Sequence, residues 1–249
     1  MRSHDPSLSP TGERQVKQLG DAVARALLKP LSPRVREKKK LQMATAVSKV
    51  RVAVSPMRRT LLTAVPVVQT LEDLHKKNQI ELKSVDIVSH IFEIGGCYSE
   101  KSGITMGHKG MTDSEAREIL PTAMAPASMS QGWWSNSTRE TEEELEFRVT
   151  KTLEWIRKTA WEGECDVLFI VTHQDFACTC MRRLTLAPGI CWLYNTSLSS
   201  FTLHPLVTAD MDPERVDLSA DGTIARVYHC KVVMDWVNAV EHLSFENLT

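Results

Sequence analysis

Three polar side chains of complementary chemistry, Arg59, Glu93 and His173, each come shortly after a segment rich in apolar residues. A guanidinium can hold two phosphate oxygens with its planar fork, and an imidazole adds charge or a hydrogen bond at phosphorus. A carboxyl group can protonate the oxygen that leaves. Together the three types predict a site for a phosphoryl group, whereas the alternative is three unrelated surface residues.

The sequence around these residues leaves two choices open. Arg58 competes with Arg59, because neighbouring side chains at the start of a helix diverge by about 100° and cannot easily face one pocket. Gly95 and Gly96 would let the backbone approach a ligand closely, or they mark a turn.

The three residues can act together only if the surrounding elements bring them to one place. Apolar runs bounded by turn residues predict strands at 50–56, within 80–94, and at 167–172, 197–206 and 223–232. Helical spacing of apolar residues predicts helices at 9–28, 59–73, 111–120, 138–160 and 176–186.

Strands that alternate with helices predict an α/β fold with a largely parallel sheet covered on both faces. In such sheets ligands bind beyond the carboxyl ends of the strands. Arg59, Glu93 and His173 all follow strand ends, so the pattern predicts that they share one edge.

The chain of 249 residues predicts a single domain, residues 1–249. Its segment 95–140 is irregular and rich in Gly, Met, Ser and Pro, and it is interpreted as an inserted cap region over the site. Met106, Trp133 and Trp134 in this region either cover an apolar group or serve as packing residues.

Composition narrows the class of protein. A formal net charge of −1 gives no footprint for nucleic acid or an anionic membrane, and no apolar run is long enough for a membrane span. The six cysteines are predicted to be reduced and mostly buried, with no metal site at Cys178 and Cys180. The charged run "REKKK" (36–40) is predicted to be a solvated loop. These features predict a cytoplasmic protein.

Several segments in order resemble one known family, the histidine phosphatase superfamily, also called phosphoglycerate mutase-like. In its "S-S-P-L-x-R-x-x-Q-T-A" segment the arginine falls on Arg59. The segments that carry the resemblance are "DPSLSPTGERQ" (5–15), "VSPMRRTLLTA" (54–64), "FEIGGCY" (92–98) and "VTHQDF" (171–176). Those similar to one phosphatase branch are "GMTDSEAREILP" (110–121), "GWWSNSTRETEEELEFRV" (132–149) and "YNTSLSSFTL" (194–203).

The resemblance implies a three-layer α/β/α sandwich and phosphoryl transfer through a phosphohistidine, with no cofactor and no metal. It implies that Arg59 and His173 bind the phosphate and that Glu93 is the proton donor. Gln174 stands where the family usually has glycine, so its side chain either crowds the pocket or points away.

This sequence lacks the family's first strand and the "R-H-G" motif that carries the nucleophilic histidine. "MRSH" supplies His4 without a strand before it, and His90 is the other candidate; we favour neither. We expect a shortened form of a longer enzyme, in which strands next to the absent one have unpaired backbone groups.

Two functions follow from the resemblance. The first is a phosphomonoester hydrolase acting on a small phosphorylated substrate or a phosphoprotein when the upstream strand is present. The second is a catalytically inactive relative that binds a phosphorylated ligand or a protein partner. A mutase ranks third, because the "FEIGGCY" and "GWW" segments are similar to the phosphatase branch. The sequence makes no prediction of oligomeric state.

Overall fold

The computed structural model describes residues 4–28, 48–187, 189, 192–206, 214–217, 224–227 and 230–243. The predicted loop at 36–40 lies outside these residues. The helices are α1 (Pro10–Leu28), α2 (Arg58–Lys76), α3 (Asp113–Ile119), α4 (Glu142–Glu162) and α5 (Gln174–Thr185). The strands are β1 (Ser48–Val54), β2 (Ile80–Ile87), β3 (Tyr98–Lys101), β4 (Ile104–Gly107), β5 (Val167–Val171), β6 (Leu198–Pro205), β7 (Glu214–Asp217), β8 (Ile224–Val227) and β9 (Cys230–Ala239).

A parallel sheet of β2, β1 and β5 lies at the centre of the fold, with β1 in the middle. Val54 at the end of β1 pairs with Ile87 on one side and with Val171 on the other. The carboxyl ends of the three strands therefore lie level at one edge, as the α/β pattern predicts.

Helices cover both faces of this sheet. On one face, Val50 and Val52 of β1 share a core with Leu19 of α1 and Leu61 of α2. On the other face, Ala53 packs in a cluster with residues of α4 and α5. Successive residues of a strand point to opposite faces, so one strand serves both cores. The predicted three-layer α/β/α sandwich is confirmed.

Beyond β5 the described strands form separate pairs rather than one continuous sheet. Strand β6 pairs antiparallel with β9, and β7 pairs antiparallel with β8. Among the described strands, β5 pairs with β1 alone, and its residues 167–170 stay only half-buried although they are apolar. The prediction of one strand at 223–232 is wrong, because β8 ends at Val227 and β9 begins at Cys230 with different pairing partners.

Side-chain caps set the starts of three helices, of which α4 begins at Glu142 rather than at the predicted 138. Ser9 Oγ accepts a hydrogen bond of 3.1 Å from the Gly12 amide at the start of α1. Both α3 and α4 open with a capping box, in which Thr112 and Thr141 are the N-cap residues. Each such cap stabilises its helix by about 1 kcal/mol.

The described cysteines are all free thiols, and Cys97, Cys178 and Cys180 are buried. Within the described ranges, no three His, Cys, Asp or Glu residues cluster in a way that could hold a metal ion. The helices described here are each too short or too polar to cross a membrane.

Candidate active site

Hydrogen bonds join the segments that leave the three parallel strands. The Ser55 amide donates to the Val171 carbonyl at 3.0 Å, and the Val88 amide donates to the Val54 carbonyl at 2.9 Å. Thr172 Oγ1 donates to the Ile91 carbonyl at 2.7 Å. The residues that follow β1, β2 and β5 are therefore held side by side at the carboxyl edge of the sheet.

His173 is the N-cap residue of α5 and is 6% exposed. Its Nε2 lies 2.7 Å from the hydroxyl oxygen of Ser55, which is fully buried. Because Ser55 directly follows β1, the central strand fixes the orientation of the imidazole. The sequence did not single out Ser55 as a site residue, although it lies within the segment similar to the family's "S-S-P" motif.

Glu93 lies next to the start of the same helix. Its Oε1 accepts hydrogen bonds from the Ile94 amide at 2.9 Å and the Phe176 amide at 3.3 Å. Phe176 is the third residue of α5, so the helix that begins after His173 also holds the Glu93 carboxyl.

The surroundings of Glu93 favour its protonated form. Burial raises the pKa of the carboxyl above its ordinary value, and the charge of Asp175 acts in the same direction. The hydrogen bonds from Ile94 and Phe176 and the charge of Arg59 act in the opposite direction and offset part of the rise. Glu93 is thus a half-buried acid on which the charge of Arg59 acts.

Arg59, not Arg58, is the arginine whose charge acts on Glu93. Arg59 is half-buried at the second position of α2, whereas Arg58 is exposed and lines a cavity together with Glu115. The divergence of neighbouring side chains at a helix start separates the two, as the sequence predicts. The start of α5 therefore links His173 and Glu93, and the charge of Arg59 acts on the Glu93 carboxyl.

Asp5 is a further acid at this edge that sequence reasoning missed. Its Oδ1 accepts a hydrogen bond of 3.0 Å from the Arg58 amide at the first position of α2. Burial raises the pKa of Asp5, while that hydrogen bond and the charge of Arg59 lower it. Met57 at the N-cap offers no side-chain bond, so a distant carboxylate supplies the cap instead.

The structure gives the surroundings of Gln174, Gly95 and Gly96, which the sequence left open. The Gln174 side-chain amide donates a hydrogen bond of 3.4 Å to Asp175 Oδ1, and the side chain is half-buried. Gly95 and Gly96 have φ of +93° and +77° and form a turn. A Cβ on Gly96 would lie 2.4 Å from the Trp134 ring, so the close approach at this turn is made by that tryptophan.

The two histidines considered as nucleophiles have partners of their own. The His4 ring stacks on the His108 ring with centroids 4.3 Å apart, and His108 Nε2 lies 2.7 Å from Ser99 Oγ. The His90 ring contacts the edge of Trp155 at 5.5 Å. Burial lowers the pKa of His90 to about 4, which keeps its imidazole neutral.

The inserted region contains a β3–β4 hairpin, α3 and a 3₁₀ turn at Ala127–Gln131. Trp133 and Trp134 are buried, with ring centroids 5.1 Å and 5.3 Å from that of Phe92. Both tryptophans are thus packing residues beneath the Glu93 loop, while Met106 is 57% exposed.

A polar cavity of about 370 Å³ lies beside the start of α2, and Arg59, Glu93 and His173 are not among its lining residues. Six charged or ionisable residues line this cavity. They are Arg58 at the start of α2, Asp5, which accepts from the Arg58 amide, and His4, His108, Lys109 and Glu115. Three of these six come from the inserted region, which therefore forms one wall of the cavity.

Comparison with known proteins assigns neither a family nor a function to this chain. No family model matches the sequence, and no curated protein matches it. A solved structure described as mycobacterial hydrolase 2 is similar with a TM-score of 0.49 and 15% identity, over 100% of this chain and 87% of that one. At this similarity, function has to be inferred from the geometry of the site.

Proposed function

We propose that this protein is a phosphomonoester hydrolase of the histidine phosphatase superfamily, with its phosphate site at the carboxyl edge of the sheet. The observation that carries the proposal is the meeting of three groups at the start of α5. His173 caps this helix, the Phe176 amide donates to Glu93, and the charge of Arg59 acts on Glu93.

Each group has a distinct part in binding the phosphoryl group. Arg59 offers a planar fork to two phosphate oxygens, and His173 adds a ring nitrogen oriented through Ser55. The N-terminus of α5 adds backbone amides and the positive end of the helix dipole. These groups stabilise the charge on the equatorial oxygens when phosphorus is attacked.

Glu93 is the acid of the proposed reaction. Its raised pKa keeps a larger fraction of this carboxyl protonated near neutral pH than of an ordinary glutamate.

A histidine nitrogen attacks phosphorus, the bond from phosphorus to the ester oxygen breaks, and that oxygen takes the proton of Glu93. Water then gives a proton to Glu93 and attacks the phosphohistidine, and inorganic phosphate leaves. The attacking histidine is proposed to belong to the upstream strand that the resemblance implies.

A second function, binding of a phosphorylated ligand or protein without turnover, is favoured by one observation. The candidate nucleophiles among the described residues are engaged elsewhere, His4 with His108 and His90 with Trp155. Arg59 and His173 suffice for anion binding without either of them. In both functions the inserted region 95–140 is proposed to cap the site, because its Trp133 and Trp134 pack against Phe92, the residue before Glu93.

The claim shared by both functions is tested by titrating the protein with inorganic phosphate in a calorimeter. We expect Arg59→Ala to weaken binding by at least about tenfold, because a charge-assisted hydrogen bond is lost. Arg58→Ala is the matched control and should stay within about twofold, since its exposed charge is well screened. Equal effects of the two substitutions, or no phosphate binding by the wild type, would refute the site.

Hydrolysis of p-nitrophenyl phosphate by a form of the protein that carries the upstream strand then separates the two functions. Turnover that falls by about 10²-fold or more in His173→Ala supports the hydrolase. Phosphate binding that depends on Arg59, without turnover above an enzyme-free control, supports the binding protein instead.

A further inference from the structure

A buried ion pair lies behind the Glu93 loop. Arg148 of α4 and Glu140, just before that helix, are 6% and 9% exposed. The guanidinium binds the carboxylate at two points, Nε to Oε1 and Nη2 to Oε2, both at 2.6 Å. Parallel bonds of this kind fix both groups in one plane.

The pair holds the backbone on both sides of Glu93. Arg148 Nη1 donates to the carbonyls of His90 at 3.2 Å and Phe92 at 2.9 Å, which precede Glu93. After Glu93, the Gly95 amide donates to Glu140 Oε2 at 3.1 Å, and the Glu140 amide donates to the Gly95 carbonyl at 3.0 Å. The loop is thus fastened before and after the acid.

The same guanidinium lies between two aromatic rings. Its central carbon is 3.7 Å from the centroid of Phe92 and 4.2 Å from that of Phe176. Phe176 is also the residue whose amide donates to Glu93 Oε1. Arg148 therefore contacts the residue before the acid and the residue that binds the acid's oxygen.

Burial of this pair is difficult to explain by stability alone. Removing two charges from water is so unfavourable that an apolar pair of similar volume is often as stable or more stable. What a charged pair provides and an apolar pair cannot is a set of directed bonds to the carbonyls and amide of the loop.

We propose that Arg148 and Glu140 are positioning residues that fix the Glu93 carboxyl against the start of α5. The proposal rests on the proposed function for the meaning of Glu93 but concerns the geometry of its loop. Arg148 acts through backbone bonds, while Asp175 and Arg59 are the charged side chains that act directly on the Glu93 carboxyl.

The test follows the Glu93 carboxyl carbon by NMR through a pH titration, with Glu93→Gln to assign the signal. We compare wild type, Glu140→Gln and Arg148→Lys, each shown to be folded by its unfolding transition. In both variants the loop loosens and water reaches the carboxyl, so we expect the pKa of Glu93 to fall towards its ordinary value of 4.5. The Phe176 amide proton should move upfield as its hydrogen bond weakens.

Arg51→Lys is the matched control, because Arg51 is an ion-paired arginine of the same helix–sheet layer whose partners, Asp86 and Glu164, lie outside the Glu93 loop. It should leave both signals unchanged. Unchanged Glu93 and Phe176 signals in either folded variant would overturn the proposal.

Binding of inorganic phosphate is measured on the same samples to separate this proposal from the proposed function. It should stay within about twofold of wild type, because Arg59 and His173 are left intact. A wild type that binds no phosphate refutes the phosphate site, whereas the titration of Glu93 still decides whether Arg148 and Glu140 position it.

Discussion

Two arginines in one layer of the fold meet contrasting environments. Arg51 of β1 shares its side of the sheet with Ala53, which packs against α4, and Arg148 lies on α4 itself. Arg51 binds Asp86 at 2.8 Å and Glu164 at 2.6 Å, with the arginine side chain 25% and the Glu164 side chain 49% exposed. The Arg148 and Glu140 side chains are 7% and 3% exposed.

The two clusters differ in how much desolvation of charge the fold requires. Beyond the C-terminal end of α4, Arg51 and Glu164 keep contact with water, which weakens their attraction. Near its N-terminal end, beside the candidate site, the charges are buried and tied to backbone groups. Substitutions at the two arginines should therefore differ in size and in their dependence on salt.

Arg148→Ala should have the largest effect on stability. It leaves the Glu140 carboxylate buried without its cation, which typically costs about 3–5 kcal/mol. Urea denaturation followed by circular dichroism measures the loss. The double substitution Arg148→Met with Glu140→Leu removes both charges and should recover only part of that free energy, because the His90 and Phe92 carbonyls and the Gly95 amide lose their side-chain partners. A loss below about 1 kcal/mol in Arg148→Ala would contradict the contrast.

His90, whose carbonyl accepts from Arg148, should make stability depend on pH. Burial, followed by the charges of Lys151 and Arg148, lowers the pKa of His90 from 6.5 to about 4. Between these values the unfolded chain takes up a proton that the folded protein does not, so the free energy of unfolding falls as the pH is lowered from 6.5 to 4. The shift corresponds to at most about 3 kcal/mol.

The measurement compares wild type and His90→Gln by urea unfolding at several pH values. Glu93 and Asp5 have raised pKa values and give the opposite slope, but both proteins contain them, so their effect cancels in the difference. A difference that does not change between pH 6.5 and pH 4 would show that His90 is accessible to protons in the folded state.

Arg51→Ala should have the smallest effect, about 1 kcal/mol or less, because its ion pairs are partly exposed. Added salt should reduce the difference between Arg51→Ala and wild type, since ions screen exposed charges. The Arg148→Ala difference should change much less with salt. The measurement is urea unfolding in 0.05 M and 0.5 M sodium chloride, where the Debye length is about 14 Å and about 4 Å. Equal salt dependence of the Arg51→Ala and Arg148→Ala differences would contradict the distinction between the exposed and the buried ion pairs.

Local patterns in the sequence predict the parts of the fold that depend on neighbours along the chain. The helix start at Thr112 follows from the capping sequence, and the divergence of Arg58 and Arg59 follows from helical geometry. The shared edge of Arg59, Glu93 and His173 follows from the rule on strand ends.

Features set by distant partners could not be predicted in this way. Ser55 and His173 are 118 positions apart, and Arg148 and Phe92 are 56 apart. On sequence, Arg148 belongs to the charged face of an amphipathic helix, and nothing local shows that the Glu93 loop covers it. The division between β8 and β9 likewise depends on which strand each one pairs with.

The central position of β1 determines which part of the site opens last. Among the described strands it is the one with a hydrogen-bonded neighbour on either side, and the Ser55 amide prolongs its ladder past the final residue. Transient local unfolding that exposes this backbone would have to disrupt both ladders at once. Ser55, which orients His173, and the start of α2, which carries Arg59, therefore follow a strand whose backbone is paired on both sides. Glu93 instead lies in a loop that is held by the side chains of Arg148 and Glu140.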